Sequence, residues 1–191
     1  MTASPTPPAS PEPIDTAPRI GPGDRRDLGL VNHGISSIAG RVIGGHRPNV
    51  FTTLGRQRRL FRAWLMFSAA LMPFGRLPRT ETELVILHVA TLRGCDYELD
   101  HHRRIGRKVG LTPEQVEHVG DATWDGWTDR QRVLLDATAS LVHDRDLDDA
   151  TWARVREHLD EATAIELLML CGQYDALATT LMTLRVPLDG R

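Results

Sequence analysis

Residues Thr80–Gly110 read TETELVILHVATLRGCDYELDHHRRIGRKVG, and this stretch decides the fold. In its first half Leu84, Val85, Ile86, Leu87, Val89, Ala90 and Leu92 are apolar nearly all round, which predicts a buried central helix. Thr80-Glu81-Thr82-Glu83 fits a capping box that would start this helix, and Gly94 stops it. A second helix is expected from about Asp96 to Val109, with Gly110 just past its end. No other segment brings so many reactive side-chain types so close together.

Working outward, the helical pattern extends on both sides. Pro48 suits the first turn of a short helix through Leu54. Gln57–Met72 repeats apolar residues at Leu60, Phe61, Trp64, Leu65 and Leu71, and Pro73 with Gly75 ends it. Arg56, Arg58, Arg59 and Arg62 on this segment read as a solvated helix face. Downstream, Thr112-Pro113-Glu114-Gln115 and Thr128-Asp129-Arg130-Gln131 are further capping boxes. Asp148 can cap a helix that buries Trp152, Val155 and Leu159, and Asp160 a last long helix to about Leu184, where Gly172 suggests a close helix crossing. No strand pattern is evident. The expected class is all-α, a bundle of seven or eight helices with short loops.

Residues 1–22 form a Pro/Ala/Ser/Thr tail, expected to be disordered because it has little apolar area to offset its ordering entropy. Residues 23–47 are glycine-rich and are expected to wrap irregularly with a short helix; residues 48–189 form the helical domain. At 191 residues the chain is long enough for one substantial core. A net charge of -2 provides no global field for nucleic acid or a membrane surface. Two cysteines make no disulfide scaffold, no signal peptide is visible, and no run approaches the ~20 apolar residues of a membrane span. A soluble, reducing, cytoplasmic setting is expected.

The chemistry is concentrated in the opening stretch. Cys95 stands at a helix N-terminus, where first-turn amides and the macrodipole favour a thiolate; the alternative is a small, half-buried hydrophobe. Glu98 and His102 are four apart and share a helix face, a general-base arrangement as well as an ordinary i,i+4 pair. The spacing places Cys95 on the same stripe. Glu83 is either a capping residue or a carboxylate partly buried by the apolar helix it begins. His101 points about 100° away from His102 and is expected at the surface or an interface. His88 reads as a hydrogen-bonded core residue. The eight histidines show no metal-binding spacing, and no nucleotide or cofactor motif is present, so no cofactor and no metal are expected.

These residues resemble a known family. Glu83, the apolar helix, Gly94-Cys95-Asp96-Tyr97-Glu98 and His102 are similar to the carboxymuconolactone decarboxylase and alkylhydroperoxidase D (AhpD-like) superfamily. So are Leu111–Val116, Leu159–Ala162 and Gly172–Ala178, and the likeness spans residues 48–189. The resemblance implies an all-α fold, a homo-oligomer (trimer, dimer or hexamer) and a cleft near subunit contacts. In the AhpD-like branch the site is a CxxC pair with a Glu upstream and a His downstream. Carried over, these positions are Cys95, Glu83 and His102, while Glu98 replaces the second cysteine, leaving no resolving thiol for a disulfide cycle. The decarboxylase branch has a Glu four residues before its active-site His, as Glu98 and His102 are here.

The first functional expectation is therefore an acid–base enzyme (decarboxylase, lyase or isomerase) acting on a small carbonyl or lactone-like substrate. His102 would move the proton, Glu98 would orient it or act as the partner acid, and Glu83 would be a second carboxylate whose burial sets its protonation; Cys95 would line the cleft, Tyr97 would donate to an oxyanion and His101 would contribute to binding. The second is a single-cysteine thiol peroxidase or redox sensor through Cys95. The third is a non-catalytic oligomer that binds an apolar small molecule.

Overall fold

The computed structural model describes residues 17–43 and 46–190. The expected disordered tail lies mostly outside them. Nine α-helices are present among the described residues: α1 (Arg25–Ile43), α2 (Asn49–Leu54), α3 (Arg58–Leu71), α4 (Arg79–Arg93), α5 (Asp96–Val109), α6 (Pro113–Glu117), α7 (Asp129–His143), α8 (Asp149–His158) and α9 (Glu161–Leu184). A single 3-10 turn, His118–Gly120, follows α6. No strand occurs among the described residues. The all-α expectation holds.

α4 is the axis of the bundle, packing against α5, α7 and α9. Its side chains feed two cores. Val85, Ile86 and Val89 join the larger one with α7, α8 and α9, while Leu84 and Leu87 join Leu111, Val116, Val119, Trp127 and Leu135 in a second. A helix that must fill a core on both sides has to be apolar all round.

α4 begins two residues earlier than the expected capping box would place it. Pro78 is its N-cap and no side chain caps it; the hydroxyl of Thr82 donates back to the Pro78 carbonyl at 3.3 Å. Pro78, with φ fixed near −51°, makes a ready helix start and displaces Thr80 from the cap position. Glu83 is thereby freed from capping and turned inward, where it is fully buried. The boxes at Thr112 and Thr128 and the caps at Asp148 and Asp160 form as expected. Gly94 (φ 65°) and Gly110 (φ 115°) end α4 and α5 in the left-handed region that favours glycine.

Five expectations are corrected. Within the segment 23–47, expected to be mostly irregular with a short helix, Arg25–Ile43 form the 19-residue α1 with a kink at Gly29 (φ 70°, ψ 170°). Tertiary bonds override its weak propensity. Asn32 donates to the Gly55 carbonyl, and Arg58 donates to the carbonyls of Arg26 and Asp27 beside the kink. Arg58, and Arg56 through its ion pair with Asp27, are thus structural rather than merely solvated. Trp152 is half exposed, since Val155 and Leu159 suffice to seat α8. Gly172 marks no close crossing, because nothing lies within 4 Å of where its Cβ would be. Finally, α9 is long and apolar enough to cross a membrane by length and composition, although Leu167, Leu170, Cys171, Ala178 and Leu181 are buried in the bundle core.

Candidate active site

α5 has a polar face on Asp100, Arg103, Arg104 and Arg107, yet its buried stripe is also chemical: Tyr97, Glu98, His101 and His102. In a plain helical bundle this stripe would be aliphatic. Gly106, on the same stripe, lets α5 approach α4; a Cβ there would lie 2.9 Å from Leu111 Cδ1 and 3.7 Å from Glu83 Cβ. That approach brings the two carboxylates of Glu83 and Glu98 to opposite edges of one imidazole.

The resulting chain is short and buried. Arg79 donates to Glu83 Oε1 at 2.8 Å, one turn along α4. His102 Nδ1 meets Glu83 Oε2 at 2.6 Å, and His102 Nε2 lies 3.2 Å from Glu98 Oε2. Burial opposes a charge on His102, but the contacts to Glu83 and Glu98 outweigh it and raise its pKa to about 9. At neutral pH both ring nitrogens therefore carry protons, and the imidazolium donates toward a carboxylate on each side. The Tyr174 ring stands edge-on to His102 at 5.3 Å.

Glu98, His102 and Tyr174 line a cavity of about 290 Å³. Its other walls are mainly apolar: Val50, Phe51, Trp64, Leu65, Met72 and Ile105 among them. Glu83 stands behind His102, outside the lining, so Glu98 is the carboxylate presented to a ligand. The Tyr174 hydroxyl makes no hydrogen bond among the described residues. Burial, then the nearby carboxylates of Glu98 and Glu83, push its pKa well up, so it stays a hydrogen-bond donor.

The structure separates Cys95 from this group. Cys95 is 1% exposed and lines a separate pocket with Leu181, Val186 and Leu188, not the Glu98 cavity. The stripe spacing fails because Cys95 is the N-cap residue, with extended backbone (φ -88°, ψ 90°), and does not follow helical direction. Of the two readings of Cys95, the buried apolar residue fits the structure and the thiolate does not. Burial pushes the thiol up to about 11, against the pull of the Glu98 and Tyr97 backbone amides. Cys171, fully enclosed near Thr138, is pushed up to about 12 by burial.

Tyr97 and His101 also line the cavity, but their polar atoms are already engaged. Tyr97 is not free to serve an oxyanion: its hydroxyl donates to Asp189 Oδ1 at 3.0 Å and accepts from the Val50 amide at 3.0 Å. His101 is not at the surface; it stacks on Tyr97 at 4.8 Å and meets Asp189 Oδ2 at 2.8 Å through Nε2. The Asn49 amide completes the set on Asp189 Oδ1 at 2.7 Å. Burial works against the Asp189 charge, but these bonds prevail and lower its pKa. The C-terminal Val186–Gly190 segment is thus strapped beside the cavity. His88 is a core histidine as expected, with Nδ1 2.6 Å from the Val119 carbonyl. Arg93 is engaged by Asp175 and the Val142 carbonyl, and Arg104 by Asp100. No cluster of His, Cys, Asp or Glu suited to a metal ion occurs among the described residues.

Sequence reasoning missed Arg79, Tyr174 and Asp189. Only Arg79 left a usable mark, its i,i+4 spacing to Glu83. Tyr174 lies in the family-like stretch Gly172–Ala178 but, like Asp189, reaches the site only through packing across the bundle.

Comparison with known proteins agrees with this architecture. Residues 58–140, which include α3 to α6 and most of α7, match the carboxymuconolactone decarboxylase family. Uncharacterized protein YdfG of Bacillus subtilis (strain 168) is 26% identical over 102 residues, 51% of this chain and 69% of that protein. The alkylhydroperoxidase AhpD core of an uncharacterized peroxidase-related protein from Ralstonia eutropha JMP134 superposes with a TM-score of 0.77 at 21% identity, covering 90% of this chain and 93% of that one. The debrominase Bmp8 superposes with a TM-score of 0.75 at 18% identity, over 90% of this chain and 92% of that one. A cysteine-to-alanine variant of that debrominase has been solved with 2,3,4-tribromopyrrole. Residues 58–140 thus resemble the carboxymuconolactone decarboxylase family, and the fold as a whole is that of AhpD-like proteins.

Proposed function

We propose that this chain is an acid–base enzyme acting on a small carbonyl or lactone-like compound, as a decarboxylase, lyase or isomerase. The observation that carries the reading is Glu98: a carboxylate exposed to a mainly apolar cavity and tied through His102 to the buried Glu83 and Arg79. The cavity walls are mainly apolar, and the His102 ring holds the Glu98 carboxylate in place. Glu98 removes a proton from the carbon next to the carbonyl. The C–H electron pair moves into the carbon skeleton and the carbonyl oxygen becomes an enolate oxygen, which the Tyr174 hydroxyl meets as donor. Glu98, now protonated, returns the proton to the same or another carbon. Loss of carbon dioxide from a suitably placed carboxylate would give the same enolate, with the proton then supplied from this chain of acids.

A peroxidase reading through Cys95 would need an accessible thiolate, and this thiol is buried, protonated and outside the cavity. The ligand of the debrominase supports a small ring as a suitable size class for the cavity. The proposal includes self-association, supported by the exposed Leu30, Val31, Met66, Phe74, Ile165 and Met169.

The test is deuterium incorporation next to the carbonyl of 2-butanone and of a small unsaturated γ-lactone in D₂O, followed by mass spectrometry. Glu98→Gln should slow exchange by about 10²–10⁴-fold, and Cys95→Ser should retain it. Exchange no faster than buffer, or turnover of cumene hydroperoxide that disappears in Cys95→Ser, would overturn the reading.

A further inference from the structure

A second cavity of about 320 Å³ lies against the first. Trp64 and Leu177 line both and form their common wall. Beside that wall Gln173, which faces the second cavity, donates to Ser68, which faces the first, at 3.1 Å. The second chamber contains no carboxylate, histidine or cysteine. Its surface is built from Leu54, Leu60, Phe61, Ala176 and Leu184, with Arg56 and Gln57 also on its lining. Arg56 is already held by Asp27 and the Gly21 carbonyl, so it is not waiting for an anion. Ile20 also lines the chamber, next to Arg19, whose amide donates to the Leu184 carbonyl at 3.0 Å.

We infer that this chamber is the binding site for an apolar tail of the substrate, an alkyl or aryl chain whose reacting carbonyl lies at Glu98 on the other side of Trp64. The inference rests on the acid–base reading for its reacting end and on the paired cavities for its tail. Each cavity alone is at the lower limit for a small-molecule site, roughly 300–1,000 Å³; joined, the two fall well inside it. The division of labour is physical. One chamber holds the carboxylate and histidines and the other, apart from Thr53, Arg56, Gln57, Gln173 and Thr180 on its lining, offers mainly apolar burial, so the ligand that satisfies both is amphiphilic, with one carbonyl end and one hydrocarbon end. Trp64 sets the partition. It stacks on Phe61 and meets Phe51 edge-on, with ring centroids 6.0 Å apart in each pair, and its side chain decides whether the chambers communicate.

The experiment uses the straight-chain 2-alkanones from 2-butanone to 2-nonanone. Their dissociation constants are measured by calorimetry on the full chain and on Ala176→Phe, a substitution on an exposed turn of α9 that projects a ring into the second chamber. The wild type should bind up to about fourfold tighter for each added methylene until the chamber is filled. In Ala176→Phe the longer ketones should bind no tighter than the shorter ones. Affinity independent of chain length in the wild type, or the same dependence in Ala176→Phe, would overturn the inference. Deuterium exchange at 2-butanone, read in the same samples, reports the acid–base reading alone. Exchange with flat affinities would remove the tail site and leave that chemistry standing; steep affinities without exchange would keep the subsite and remove the chemistry.

Discussion

Replacing His102 with Gln should remove a pH-dependent part of the protein's stability. In the folded chain the His102 proton is held up to about 9, against 6.5 for the ordinary imidazole. Between these values the folded state binds more protons than the unfolded state, so stability falls as pH rises. The contribution is fully present below about pH 6.5 and is lost as pH passes through about 9. At the usual free-energy equivalent of a pKa change this amounts to at most about 3 kcal/mol. For a chain of this size that corresponds to a fall in Tm of roughly 6–12 °C. Thermal melts from pH 6 to 9.5 measure it, with the cysteines and tyrosines common to both proteins cancelling in the difference. Wild type should show the slope, His102→Gln should lack it, and the His102 ring nitrogens should titrate near 9 by NMR. Equal slopes in the two proteins, or a His102 titration below neutrality, would refute the charge arrangement and with it the roles given to Glu83 and Glu98.

Cys95→Ser should leave carbonyl-exchange activity within about twofold. In the wild type a thiol pushed up to about 11 leaves roughly one thiolate in a few thousand at pH 7.5, so labelling by a disulfide reagent should be at least 100-fold slower than for free cysteine; rapid labelling would contradict its burial. Asp189→Asn removes the charge that accepts from Tyr97, His101 and the Asn49 amide, and should cost about 1–3 kcal/mol. An unchanged Tm, with unchanged hydrogen exchange at the Asn49 amide, would show the strap to be incidental. Gly106→Val should cost about 1–3 kcal/mol by forcing α5 off α4, and should lower the His102 pKa. Gly106→Ala should be milder, because the atom it meets first is the mobile tip of Leu111.

What the sequence by itself determined was everything that depends on near neighbours. The all-round apolar run of α4, the capping boxes at Thr112 and Thr128, the glycines that end α4 and α5, and the i,i+4 relation of Glu98 to His102 are local patterns, and the structure contains each of them. Locality also set the errors. The glycines of α1 argue against a long helix until Asn32 and Arg58 bind it to the rest of the fold. The Thr80 box was a valid pattern that lost to Pro78, which starts the helix first. Cys95 was placed by helical spacing at the one position where the backbone is not yet helical.

Only the tertiary structure decided which groups meet. Glu83 and His102 are 19 residues apart and form a pair because α4 and α5 close over Gly106. Tyr174 and Asp189 arrive from α9 and the segment beyond it, more than 70 residues away from His102. The same packing made Cys95 a protonated core residue and left Glu98 facing an apolar cavity. A pKa and a cavity depend on burial and on charges brought together across the chain, and neither quantity has a sequence period.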